Sequence, residues 1–168
     1  MQIISIHRPA GHWPLEKAEG SLTLDFDSRH RRRIRLTADQ GEDLLLDLPK
    51  AIAMADGDGL QLADGRWLRV KAAAEDVVEI RHKDSHELVR LAWHLGNRHL
   101  PTEIRHDFLC IRPDHVIEDM LCGLGADLSL VRAPFQPEGG AYGGYGHAHD
   151  HDHDHHHDDE GREHHHHE

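Results

Sequence analysis

One segment of this chain cannot join any packed core, and it thereby limits what the rest can build. The last 22 residues, from His147, read HAHDHDHDHHHDDEGREHHHHE and carry eleven of the 20 histidines. Ala148 is the only apolar side chain in that segment. With nothing to bury, the tail is expected to be disordered in the absence of a ligand. The stretch before it, EGGAYGGYG (138–146), has the composition of a flexible linker. Folding is confined to a body of about 135 residues, enough for one large domain or two small ones.

The tail does offer neutral imidazole at high local density. Its donors are His147, His149, His151, His153, His155, His156, His157, His164, His165, His166 and His167. Imidazole suits nickel, copper and zinc, and the interleaved carboxylates attract any divalent cation. A purification tag is a clean histidine run. HDHDHDHHHDDE is not one, although HHHH at 164–167 has that form. Five Asp and three Glu against Arg162 give the tail −7 of the formal −12, which leaves the body mildly acidic. Phosphate binding needs a basic face. The run Arg31, Arg32, Arg33 has no aromatic platform beside it and is expected on a solvated strand edge, so nucleic acid is not an expected partner. The opening MQIISIHRPAG lacks a charged segment followed by an apolar run, and no apolar stretch approaches ~18 residues. Cys110 and Cys122 make neither a disulfide framework nor a CxxC pair. A cytoplasmic protein without membrane contact is expected.

Rhythm divides the body in two. QIISIH (2–7), LTLDF (22–26), RRIRL (32–36) and DLLLDL (43–48) are short and β-rich, with turn signals at Pro14, Asp27–Ser28 and Gly41. DGDG (56–59) and DG (64–65) look like hairpin turns on either side of LQLA, and RWLRV (66–70) follows. A small all-β domain is expected over residues 1–74. Next comes a strand, EDVVEIRH (75–82). Leu88, Leu91, Ala92 and Leu95 then make a helical stripe, with Asp84 and Glu87 as a capping box and Gly96 as the stop. Short strands are expected in TEIRH (102–106) and FLCI (108–111). Pro113 opens a second helix with Ile117, Met120, Leu121 and Leu124 inward, ended by Gly123 and Gly125; DLSLVRAPF (127–135) is the last strand. The order β-α-β-β-α-β over 75–137 is the ferredoxin-like arrangement. The fold class is therefore α+β, with residues 138–168 as linker and tail.

No GxxxxGK[ST], GxSxG or HExxH motif and no paired carboxylates stand out, so nothing points to an enzyme. In GNRHLP (96–101), His99 lies just past a helix end on a short connection fenced by Pro101. A lone loop histidine is more often an ordinary surface residue, and one imidazole cannot hold a transition metal tightly. In a two-fold dimer, however, the same histidine from each subunit can meet at the axis. His115 falls in the first turn of the second helix, where a solvated polar residue is the ordinary reading. Asp114 beside it has the place of a helix-terminus carboxylate. His82 and His106 are expected to face solvent at strand ends, and His94 to be half-exposed. Cys110 is expected to be a buried small hydrophobe, and Trp67 and Trp93 core or interface fillers.

GNRHLPTEI, DHVIEDML, LPKAIAMADGDGL and a histidine-rich carboxyl tail together resemble the UreE family of urease accessory proteins, over about Leu22 to Phe135. That resemblance implies a homodimeric cytosolic nickel metallochaperone. Its amino-terminal β domain is likened to the peptide-binding domains of heat-shock chaperones, and its second domain is ferredoxin-like. It implies delivery of Ni²⁺ to the urease apoprotein together with other accessory proteins, including the GTPase UreG. It also implies that His99 is the interfacial nickel ligand and that His115 is a secondary one. Some members carry HDH where this chain has Pro113-Asp114-His115, so the first histidine of that pair is absent here. Histidine-only ligation leaves exchangeable positions, and copper or zinc would substitute for nickel in vitro. A rival from another class is a nickel or zinc store without a client.

Overall fold

The computed structural model describes residues 1–139, which form two sheets and two helices. The tail histidines 147–167 and most of the glycine-rich linker lie outside the described residues.

The first sheet is six-stranded and mixed. Its strands are β1 (Gln2–Arg8), β2 (Ala18–Leu24), β3 (Arg33–Thr37), β4 (Asp43–Asp47), β5 (Gly59–Leu62) and β6 (Trp67–Ala72), in the order β2-β6-β5-β1-β4-β3. Period-2 alternation puts Leu22, Leu24, Leu36, Leu44, Leu46, Leu60, Leu62, Leu68 and Val70 into one core around Ile4 and Met54. β3 is an edge strand, and Arg31, Arg32 and Arg33 are exposed there as expected.

Two expectations need correction. β2 begins at Ala18, before the expected LTLDF. Gly20 lies within the strand, and a Cβ there would sit 2.0 Å from the Gln40 side chain, so glycine marks a close approach rather than a break. DGDG is not a hairpin turn, because residues 48–58 form no strand. Instead Asp58 is buried and accepts from His7 Nε2 (2.7 Å) and from the amides of Ala10 and Ala55 (2.9 Å each). The Asp64–Gly65 turn does join β5 to β6 as a hairpin, with Gly65 at φ 91°.

The second sheet carries the helices. It contains β7 (Ala74–Arg81), β8 (Glu103–Ile104), β9 (Leu109–Ile111) and β10 (Asp127–Pro134), in the order β10-β7-β9-β8. With α1 (Ser85–Asn97) after β7 and α2 (His115–Gly123) after β9, this is the expected ferredoxin-like order. Leu91, Leu95 and Leu121 from the helices meet Val78, Ile80, Leu109 and Ile111 on one face of the sheet. Val77 and Cys110 point to the other face, where Phe26 and Phe135 cover them.

The two sheets share a buried polar joint. Arg29, from the turn after β2, is 1% exposed. It donates to the carbonyls of Met54 (3.1 Å) and Phe135, while Glu75 accepts from the Phe26 amide (2.8 Å). Burial pulls the Arg29 guanidinium down from its ordinary value, and Glu75 and Asp56 oppose that.

Candidate metal centre

The expected stop signal of α1 is not the observed one. Gly96 lies inside the helix; the residue that turns the chain out of it is His99, at φ 54°. It is the only non-glycine residue with positive φ among the described residues. The amide of His99 donates to the Gly96 carbonyl (3.0 Å), and that of Leu100 to the Leu95 carbonyl (3.3 Å). These two bonds make the Schellman cap, whose left-handed position glycine normally fills. Leu100 then packs against the core cluster that contains Leu95.

α2 supplies an internal control. It ends in the same bond pattern, with Gly125→Cys122 and Ala126→Leu121 both at 3.0 Å. There the left-handed residue is Gly125, at φ 86°. One helix uses the low-strain residue, and the other places an imidazole at the equivalent site. Left-handed backbone with a Cβ costs roughly 1 kcal/mol, and such strain is found where function demands a side chain.

The strain fixes where the imidazole stands. His99 is exposed, at the end of a 13-residue helix whose last carbonyls carry partial negative charge. The neighbouring Arg98 guanidinium folds back to the His94 carbonyl (3.2 Å). On α1 itself, Val89 and Trp93 are four residues apart and exposed at 66% and 63%.

His115 is the first residue of α2 and is exposed. Asp114 before it is the N-cap and accepts from Val116 and Ile117 (both 3.1 Å); its own amide donates to Glu118 (3.0 Å). Pro113 therefore precedes the cap rather than opening the helix. At α1, Asp84 caps His86 (2.8 Å), but its amide donates to His82 Nδ1 (3.0 Å) in place of the expected Glu87.

Among the described residues, no three His, Cys, Asp or Glu side chains converge on one point. His99 and His115 are both exposed on the single chain. His106 is exposed and His94 half-exposed, as expected, whereas His82, expected to face solvent, is half-exposed. Cys110 is buried, and burial pushes its thiol up to about 11, with Glu103 adding to the shift. At neutral pH it is a thiol, not the thiolate a metal needs. Sequence reasoning missed the left-handed backbone at His99. The available signal was GNRHLP itself: a helix pattern running through Gly96 with no glycine at the cap.

Two family models match the chain: the UreE urease accessory protein N-terminal domain over residues 3–73, and the C-terminal domain over residues 75–167. Curated relatives named urease accessory protein UreE align along most of the body. The protein of Bradyrhizobium sp. (strain ORS 278) is 59% identical over 127 residues, which is 76% of this chain and 60% of the relative. That of Chelativorans sp. (strain BNC1) is 53% identical over 76% of this chain and 80% of the relative. That of Ruegeria pomeroyi (strain ATCC 700808 / DSM 15171 / DSS-3) is 47% identical over 81% and 88%. The chain thus spans about 60% of the length of the Bradyrhizobium relative. Both halves of the fold and these identities place the chain in the UreE family of urease accessory proteins.

Proposed function

We propose that this chain is a non-enzymatic nickel metallochaperone for urease maturation. It works as a cytoplasmic homodimer and passes Ni²⁺ to the urease apoprotein in concert with the GTPase UreG. The observation that carries this reading is His99, an exposed imidazole held at a strained helix cap that glycine would fill at lower cost. Family membership supports the urease connection.

The chemistry follows from the donor set. One imidazole per chain is too few for tight nickel binding, so two His99 side chains meet across a two-fold axis. The exposed Val89 and Trp93 on the same helix give that dimer an apolar surface to bury. Water or tail histidines complete the shell and leave exchangeable positions, as hand-over requires. His115 and the tail (His147 to His167) hold further ions. Zinc and copper compete by intrinsic affinity, and selectivity comes from geometry and partner. Residues 1–74 act as the client-facing β domain, 75–137 as the metal-binding domain, and 138–168 as a tethered collector.

Binding needs neutral imidazole, and protons compete with metal for the same lone pair. Nickel is therefore held at neutral to alkaline pH and released as pH falls into the acid range. Equilibrium dialysis across that range checks this; nickel retention that does not change from pH 8 to pH 5 contradicts it. The functional test is urease activation in cells that lack the chain. Wild type is expected to restore nickel-loaded urease at limiting nickel, and His99→Ala is expected not to. The tail's histidine density also favours a nickel store without a client. Capture of urease subunits and the GTPase from extract separates the readings, because a store captures neither.

A further inference from the structure

The segment that carries His99 lacks acids. The chain has 31 Asp and Glu, yet none falls between Glu87 and Glu103. That stretch holds two arginines, Arg90 and Arg98, and two histidines, His94 and His99. The carboxylates at its borders are already engaged. Glu87 pairs with Arg90 (3.3 Å). Glu103 is buried, pairs with Arg105 and accepts from the Gln136 amide (3.0 Å). Another element brings Glu138 to the loop, where its amide donates to the Thr102 carbonyl (2.9 Å). Among the described residues no ion pair joins it, or any other carboxylate, to Arg98.

Arg98 is thus an exposed cation without an acidic partner among the described residues, and its place is fixed. It is the C-cap of α1, and its guanidinium donates to the His94 carbonyl (3.2 Å). The carbonyl end of a helix carries partial negative charge, which by itself favours a cation bound at the next residue. Arg98 lies on that end and offsets it. An ion on His99 therefore meets a positive charge fixed one residue away. In the proposed dimer it meets two, because the symmetry that joins the imidazoles also brings both Arg98 side chains. A site built to retain a divalent cation surrounds it with carboxylates. The tail does so, with five Asp and three Glu among its eleven histidines. The loop does the opposite.

We propose that Arg98 detunes the His99 site. Its charge weakens nickel binding, so that the site surrenders the ion to a client instead of retaining it. This rests on the reading of His99 as a nickel ligand. Arg98 acts on the ion through space and is not a ligand, because a guanidinium has no lone pair to give. Two unit charges on the order of 10 Å from a divalent ion weaken its binding about fivefold at low salt, and screening removes most of that effect near ~0.5 M.

The test uses the full chain, with free nickel set by a nitrilotriacetate buffer. Six-coordinate Ni²⁺ is paramagnetic, so loss of the Asn97 and Leu100 amide signals in NMR reports occupancy beside His99. His99→Ala is expected to keep those signals. Arg98→Gln is expected to lose half of them at about fivefold lower free nickel than wild type at ~10 mM ionic strength, and at less than about twofold lower at ~0.5 M. Arg98→Lys keeps the charge without the guanidinium and is expected to match wild type. Equal midpoints for Arg98→Gln and wild type at low salt overturn the proposal. So does a shift that Arg98→Lys shares or that salt leaves unchanged, because the bond to the His94 carbonyl would then set affinity in place of the charge. Wild-type signals that persist at saturating nickel are a different result: they overturn the His99 assignment, and this proposal with it.

Discussion

His99 is where backbone cost and side-chain chemistry separate most cleanly. At φ 54° the imidazole occupies a cap position that Gly125 fills in the other helix. His99→Gly is therefore expected to raise unfolding stability by about 1 kcal/mol while removing the tightest nickel site. Urea denaturation of the apo protein checks the sign; loss of stability in His99→Gly would mean that the imidazole is structural. The residue was legible in the sequence as a candidate, through GNRHLP. Its backbone was not, because helix periodicity marks where a stripe ends but cannot tell a glycine-like conformation from an ordinary one. Cys110 was read correctly as a buried hydrophobe. Alternation on β9 puts it under Phe26 and Phe135, away from the helices.

At the scale of elements, both helices are set by their ends. Asp114 satisfies two amides of α2, and Gly125 supplies its left-handed exit. Gly125→Ala is expected to cost about 1 kcal/mol, the mirror of the gain at His99. A lower midpoint in urea with an unchanged slope is the expected result, and an unchanged midpoint would remove the internal control on which the strain argument stands. The order of these elements was readable because period-3.6 and period-2 stripes alternate clearly after residue 74. Residues 15–26 were less readable. A Gly inside β2 and a single 3-10 turn at Leu15–Lys17 carry no stripe, and the strand forms because β6 pairs with it over Ala18–Leu24. That pairing joins residues about fifty positions apart, which local pattern does not encode.

At the scale of the whole molecule, the described body brings no three metal-ligating side chains together, and the proposed centre is assembled from two copies and the tail. The joint between the sheets was not legible in advance. Nothing in the pattern around Arg29 says that its guanidinium will be buried between the carbonyls of Met54 and Phe135. Arg29→Ala leaves both carbonyls unpaired and opens a void, so it is expected to destabilise by about 3 kcal/mol in thermal or urea unfolding. A near-neutral effect would show the joint to be dispensable. In the proposed function the tail, which announces metal most loudly, has the lesser role of raising the local nickel concentration near His99. Calorimetric titration of nickel into the protein truncated after Tyr145 separates the two roles. The truncated dimer is expected to bind fewer ions than the full chain but to keep its tightest site, and His99→Ala in that background is expected to abolish it. High-affinity binding that survives in the truncated His99→Ala protein would contradict the assignment of His99.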